Sequence, residues 1–244
     1  MAVASQEDTR EVRFPWRTHK EWSRKGHVLI ISGTMGSGKS TLMRIIFRLF
    51  QGASVDENVL RAASRYLHDD LLSRVYGLAP EFRLISSHTT GRPPRDGDFP
   101  GEYIAHDKEE FADMEAAGEF AWVEKVGNYQ YGTLVEDFCA CLTRPVIGVF
   151  TTTPDTVTDK LQVTWVDQGD VVPVYVNSVL RRERMLRRGG LDEEVVEMRE
   201  KKNRWWDQKV KHCAIRFRGI SNDDDENLHP MLLSAAEIMA GLKR

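Results

Sequence analysis

The chain has 244 residues, of which 41% are hydrophobic, and a formal net charge of −3. This length suits one α/β domain with a small inserted lobe, and the charge provides no general attraction to nucleic acid, so we expect no nucleic-acid partner. No stretch approaches the roughly 20 apolar residues of a membrane span, and residues 1–25 lack the apolar core of a signal peptide. We therefore expect a cytoplasmic protein with no membrane partner.

The predicted elements alternate between short apolar strands and helices. Residues 1–25 form a polar arm, and the branched apolar run at 27–32 predicts a buried parallel strand. A helix with one apolar face follows and is expected to end near residues 51–52. The sequence pattern predicts further helices at 53–80, 107–118, 135–141, 178–209 with an interruption at Gly189-Gly190, and 231–242. It predicts strands at 81–86, 146–150, 171–176 and 214–217, and a loop at 88–101. This alternation indicates an α/β fold with a parallel sheet.

The loop after the first strand has the sequence G-T-M-G-S-G-K-S, which matches the phosphate-binding P-loop motif G-x-x-x-x-G-K-S in full. Its glycines allow backbone N–H groups to surround a phosphate, Lys39 can reach the β- and γ-phosphates, and the hydroxyl of Ser40 can bind Mg²⁺. We expect a nucleoside triphosphate to bind here, with Mg²⁺ as cofactor. The candidate binding residues are Gly33, Thr34, Met35, Gly36, Ser37, Gly38, Lys39, Ser40 and Thr41.

A second group of motifs follows downstream. The sequence S-H-T-T-G-R-P-P-R begins at residue 87, Tyr103 follows, and then come G-E-F at 118–120 and G-N-Y-Q-Y-G-T at 127–133. Together these motifs strongly resemble the acceptor-nucleotide lobe of guanylate kinases, and the spaced arginines after residue 183 resemble the lid of that family. The resemblance implies a P-loop kinase fold, with a parallel β-sheet core flanked by helices, a small acceptor-binding lobe and a helical lid. The kinase-like domain would span 26–244, with its core at 26–86 and 134–244, its acceptor lobe at about 87–133 and its lid at about 184–202.

The resemblance also implies the reaction, which is transfer of the γ-phosphoryl group of ATP to GMP or dGMP. Such a reaction depends on positioning and on neutralising charge, which suits the planar guanidinium groups and phenol hydroxyls of these motifs. The candidate catalytic residues are Lys39, Arg184, Arg188 and Arg199. The candidate acceptor-binding residues are Ser87 and Thr133 for the base, Arg92, Arg95, Tyr103 and Tyr131 for the phosphate, and Glu124.

Two departures from the family pattern concern the acceptor base. Trp122 stands where the family has the glutamate that recognises the N–H edge of guanine. Glu124 is near, and strand alternation places it on the same face, so it substitutes for that glutamate only with some shift. The family's acidic pair after a central strand has no clear equivalent, because threonines follow the predicted strand at 146–150.

These departures leave two alternatives open. One is the same chemistry on another nucleoside monophosphate, with a deoxyribose or a modified base. The other is a non-catalytic guanylate-kinase-like module that binds a peptide, although the intact P-loop argues against it. The sequence is compatible with a monomer or a homodimer.

Overall fold

The computed structural model describes residues 26–50, 82–95, 98–161, 170–187, 191–224 and 229–240. The predicted arm at 1–25, the predicted helix at 53–80 and the candidate lid residue Arg188 lie outside these ranges. Within them the strands are β1 (His27–Gly33), β2 (Phe82–Leu84), β3 (Ser87–Thr90), β4 (Tyr103–His106), β5 (Phe120–Val126), β6 (Tyr129–Leu134), β7 (Ile147–Thr151), β8 (Val171–Asn177) and β9 (Arg218–Ser221). The α-helices are α1 (Lys39–Phe50), α2 (Lys108–Ala116), α3 (Val135–Thr143), α4 (Arg181–Arg187), α5 (Glu193–His212) and α6 (His229–Ala240).

A five-stranded parallel sheet forms the core, in the order β2-β7-β1-β8-β9. Alternate side chains of the central strand β1 point to opposite faces. Leu29 and Ile31 pack with the apolar residues of α1 and α6, whereas Val28 and Ile30 pack with those of α3. Both faces of the sheet are therefore buried, as is usual for parallel sheets, and the predicted α/β class is confirmed.

A second sheet of four strands, in the order β4-β3-β6-β5, stands beside the core. Strands β3 and β4 are parallel, and the other two pairings are antiparallel. The loop predicted at 88–101 is wrong at its start, because Ser87–Thr90 is a fully buried strand. Its hydroxyl-rich sequence lacks the apolar alternation that indicates a strand, and pairing with β4 and β6 stabilises it instead.

The helices follow the periodicity closely, and the last strand does not. The predicted helix at 107–118 is α2, whose N-terminus is capped by Asp107. The strand predicted at 214–217 is wrong, because Ile215 and Phe217 pack into the core without joining the sheet, and the edge strand β9 begins at Arg218. Among the described helices, none has the length and apolar character needed to cross a membrane.

Candidate active site

The P-loop joins the carboxyl end of β1 to the first turn of α1, at the centre of the core sheet. Two of its glycines are required by close packing. Gly38 has a φ of +99°, and a Cβ there would lie 2.1 Å from Nδ2 of Asn222. Gly36 has a φ of +80°, and its Cβ would lie 2.5 Å from the carbonyl oxygen of Arg181. The loop is therefore closely surrounded by the segments at 181 and 222, and only glycine fits at either position.

The side chains of the loop lie against its own backbone. The ammonium group of Lys39 donates to the carbonyl oxygens of Gly33 at 3.0 Å and Thr34 at 3.1 Å. The hydroxyl of Ser37 donates to the same Thr34 carbonyl at 2.8 Å. This arrangement places the positive charge of Lys39 across the mouth of the loop, next to the positive N-terminal end of α1.

Two asparagines from distant parts of the chain bind the backbone of the P-loop. Asn203 of α5 is fully buried; its Oδ1 accepts from the N–H of Met35 at 2.9 Å, and its Nδ2 donates to the Met35 carbonyl at 3.2 Å. Nδ2 of Asn222 donates to the carbonyl of Ser37 at 2.8 Å. The two amides fix the loop from the side of α5 and from the side of β9.

The residues predicted to bind the acceptor lie on one face of the second sheet. Residues directly opposite each other on paired strands point to the same face. Ser87 is opposite Tyr103 on β4 and Thr133 on β6, and Tyr131 is opposite Glu124 on β5. The strand pairing thus brings together five candidates that the sequence spreads over residues 87 to 133.

Arg92 lies within the same group. Its two terminal nitrogens donate to the two carboxylate oxygens of Asp98, each at 2.8 Å, and its Cζ lies 4.0 Å from the centre of the Tyr103 ring. The rings of Tyr103 and Tyr131 are 6.1 Å apart. Burial raises the pKa of both hydroxyls, so they remain protonated donors at neutral pH.

Arg95 differs from Arg92 because its side chain is exposed. Its backbone N–H donates to Asp98 at 2.8 Å. Burial raises the pKa of Tyr131, and the positive charges of Arg92 and then Arg95 act to lower it. Both guanidinium groups therefore act on the Tyr131 hydroxyl. The predicted phosphate-binding group therefore comes together, with one arginine buried and one at the surface.

Trp122 is a core residue, and Glu124 carries the carboxylate at this edge of the sheet. The indole stacks on Phe150 at 5.9 Å and meets Phe138 edge-on at 5.3 Å. A break in the register of β5 lies between Phe120 and Trp122. Two residues further along, Glu124 accepts hydrogen bonds from the hydroxyls of Thr153, at 2.5 Å, and Thr156.

The Glu124 carboxylate lies where the core sheet and the second sheet meet. Thr153 and Thr156 both follow the carboxyl end of β7. Burial raises the pKa of Glu124; the hydrogen bonds from the two threonines oppose this shift, and the nearby charge of Asp155 adds to it. The group is thus a half-buried carboxylate with hydroxyl partners, beside the face that carries Tyr131.

Glu102 is a residue of this site that the sequence did not indicate. Its side chain is 2% exposed and lies between the P-loop and the second sheet. One carboxylate oxygen accepts from the hydroxyl of Thr151 at 2.5 Å, and the other accepts from the N–H of Phe99 at 2.9 Å and lies 3.4 Å from the hydroxyl of Ser40. Nothing in the sequence marks it except its position directly before Tyr103.

The predicted lid arginines lie on two helices. Arg184 on α4 is buried, and its Nη1 donates to the Ser178 hydroxyl at 2.9 Å and lies 3.5 Å from the Ser37 carbonyl. Arg199 on α5 is half-buried and precedes Asn203 by four residues, so it lies one turn away on the helix face that reaches the P-loop.

The sequence also missed Arg181, which joins α4 to α5. Its guanidinium group donates to both carboxylate oxygens of Glu200 at 3.1 Å and to Asp207 at 2.8 Å. Because α4 and α5 are joined in this way and Asn203 binds the P-loop, the described part of the segment predicted as the lid is anchored to the P-loop.

Comparisons with known proteins point to one family. No family model matches the chain. A guanylate kinase of Wolinella succinogenes is 30% identical to it over 128 residues, which are 52% of this chain and 45% of that relative, so the chain spans about half the length of the curated relative it matches.

Among solved structures, a guanylate kinase from Anaplasma phagocytophilum covers 91% of this chain and 88% of its own, with 16% identity and a TM-score of 0.50, which shows a shared fold. The structure of TT1252 from Thermus thermophilus covers 91% and 100%, with 15% identity, but its TM-score of 0.40 is too low to bear on the fold. The chain is therefore similar to a guanylate kinase over about half of its sequence and shares the guanylate kinase fold.

Proposed function

We propose that the protein is a nucleoside monophosphate kinase that transfers the γ-phosphoryl group of MgATP to GMP or dGMP. The observation that carries this proposal is the junction at Glu102. Its carboxylate contacts Ser40 of the P-loop. The next residue in the chain, Tyr103, lies on the face of the second sheet that also carries Tyr131. A donor site and an anion-binding face are thus next to each other, as transfer between two nucleotides requires.

On the donor side, Lys39 and the backbone N–H groups of the P-loop bind the β- and γ-phosphates. The hydroxyl of Ser40 would hold Mg²⁺, since the oxygen groups around it are the kind of ligand that this ion prefers. When bound, Mg²⁺ neutralises charge that develops on the phosphate oxygens. Asn203 and Asn222 keep the loop in the shape that its glycines permit.

On the acceptor side, Arg92, Arg95, Tyr103 and Tyr131 bind the phosphate of the monophosphate. An oxygen of that phosphate attacks the γ-phosphorus of ATP, and the bond from the γ-phosphorus to the bridging oxygen breaks to release ADP. The attacking oxygen is already ionised, so no general base is needed. Arg184, Arg188 and Arg199 of the lid, at about 184–202, stabilise the charge of the transferring group.

The base is recognised by Glu124, together with Ser87 and Thr133. An ionised carboxylate accepts hydrogen bonds from N1–H and N2–H₂ of guanine, and Thr153 and Thr156 hold the Glu124 carboxylate at the end of β7. A second candidate acceptor is another nucleoside monophosphate, with a deoxyribose or a modified base, because Trp122 lies in the core at the position where the family has its guanine-recognising glutamate.

The test is an ADP-release assay with ATP and a panel of ribo- and deoxynucleoside monophosphates. We expect turnover with GMP and dGMP and loss of that turnover in Lys39→Ala. Turnover with another base alone would support the second candidate. A folded protein without turnover on any acceptor would contradict the kinase proposal and would favour a binding module.

A further inference from the structure

We infer that the carboxylate of Glu102 is a direct ligand of the nucleotide-bound Mg²⁺, together with the hydroxyl of Ser40. P-loop enzymes commonly hold this ion with the P-loop serine or threonine and with an acidic residue from a neighbouring strand. Such a metal site needs one anionic oxygen in addition to the Ser40 hydroxyl. The strand next to β1 in the core sheet determines where that oxygen lies.

Strand β7, one of the two neighbours of β1, ends without such an acid. Strand β7 pairs with β1, and Ile31 is opposite Thr151, the last residue of β7. Residues 151, 152 and 153 are all threonine. A neutral hydroxyl at the carboxyl end of β7 does not provide the negative charge that an Mg²⁺ site between protein and phosphates uses.

Glu102 brings a carboxylate to the same place from the second sheet. Its Oε1 accepts from the Thr151 hydroxyl at 2.5 Å, so the carboxylate sits on the carboxyl end of β7. Its Oε2 lies 3.4 Å from the Ser40 hydroxyl. Two neighbouring oxygens on an octahedral Mg²⁺ with bonds of 2.0–2.1 Å lie about 2.9 Å apart, so a small movement brings both groups to the ion.

The environment of Glu102 is that of a metal ligand more than that of a structural ion pair. The side chain is 2% exposed, and the hydrogen bonds to its carboxylate come from neutral groups, which are the hydroxyls of Thr151 and Ser40 and the N–H of Phe99. A buried carboxylate is costly unless hydrogen bonds and a positive charge compensate it. Thr151 and Phe99 supply hydrogen bonds, and the metal ion supplies the charge.

This inference rests on nucleotide binding by the P-loop and is independent of the acceptor. The experiment is an electron paramagnetic resonance titration of Mn²⁺, used in place of Mg²⁺, into the protein saturated with the non-hydrolysable ATP analogue that has an imido β,γ-bridge. Nucleotide binding is measured separately by calorimetry, so that a failure of the proposed function is distinguishable from a failure of this inference.

We expect Glu102→Gln to weaken Mn²⁺ binding to the protein–nucleotide complex by about tenfold or more. The amide keeps the size of the side chain and can still bond to Thr151 and Phe99, so the melting temperature should stay close to that of the parent protein. Glu102→Asp should recover part of the affinity. Glu115→Gln, an exposed acid on α2, is the matched control and should change nothing.

Two results would overturn the assignment. One is Mn²⁺ affinity within twofold of the parent protein in Glu102→Gln, with normal nucleotide binding. The other is a lower melting temperature without any change in Mn²⁺ affinity, which would make Glu102 a structural anchor between the two sheets. If the parent protein binds no nucleotide, the donor half of the proposed function fails first.

Discussion

Replacing Glu124 with glutamine tests how the base is recognised, and the structure sets the expected size of the effect. The carboxylate accepts from the hydroxyls of Thr153 and Thr156. A hydroxyl can donate or accept, so both threonines can adapt to the amide, and Glu124→Gln should fold normally. Guanine cannot adapt in this way, because its N1–H and N2–H₂ groups only donate.

The loss in rate follows from one charge-assisted hydrogen bond. Such a bond contributes about 1.5–3 kcal/mol, so kcat/KM for GMP should fall by about 10- to 150-fold. The KM for ATP should stay unchanged, because Glu124 lies at the acceptor face. IMP lacks the 2-amino group, so the preference of the parent protein for GMP over IMP should shrink in the variant.

The assay is steady-state ADP release with GMP and IMP as varied acceptors, with Glu115→Gln as the control. Because burial raises the pKa of Glu124, GMP turnover in the parent protein should decline as the pH falls through a pKa above the usual glutamate value. Glu124→Gln should lack that acidic limb. A kcat/KM for GMP within twofold of the parent value would refute the assignment.

Three further predictions follow from particular contacts. Gly38→Ala should abolish ATP binding in calorimetry, because its Cβ would lie 2.1 Å from Nδ2 of Asn222, whereas Gly219→Ala, where a Cβ meets open space, should bind normally; equal binding by both would contradict the packing argument. Arg95→Ala should raise the acceptor KM by about tenfold or more without changing the melting temperature, since its side chain is exposed; an equal loss of ATP affinity would show a structural role. Burial and then the charge of His106 lower the folded-state pKa of His88, and Asp137 and Glu110 only partly oppose this shift. The unfolding free energy should therefore fall as the pH drops below about 6.5, by up to about 1.4 kcal/mol per pH unit. In urea unfolding at pH 5.5 and 7.5, His88→Asn should keep the hydrogen bond to His106 and lose this pH dependence, and an unchanged pH dependence would exclude His88 as its source.

The donor half of the site was predictable from sequence because its information is local. Strand β1, the P-loop and α1 are consecutive, and each has its own signal: a branched apolar run, fixed glycines with Lys39 and Ser40, and helical periodicity. The candidate acceptor residues were predictable as a set through the family resemblance. Their arrangement was not, because Ser87–Thr90 has the composition of a loop and becomes a strand only through pairing on both sides.

What the sequence could not provide depends on contacts between distant residues. Asn203 and Met35 are 168 positions apart, and Asn222 and Ser37 are 185 apart, so no local pattern predicts either contact. The role of Trp122 was obscured in a different way. It stands where the family has the glutamate that recognises guanine, whereas its size and apolar character favour the core between Phe138 and Phe150.

The central claim is that one γ-phosphoryl group moves from ATP to a purine monophosphate at the P-loop. The most direct measurement is ³¹P nuclear magnetic resonance of the purified protein with MgATP and GMP, followed over time. The account predicts that ADP and GDP appear in equal amounts, that inorganic phosphate does not accumulate, and that Lys39→Ala, folded to the same melting temperature, forms neither product. Release of inorganic phosphate without GDP, or no change in a protein that binds ATP, would contradict it.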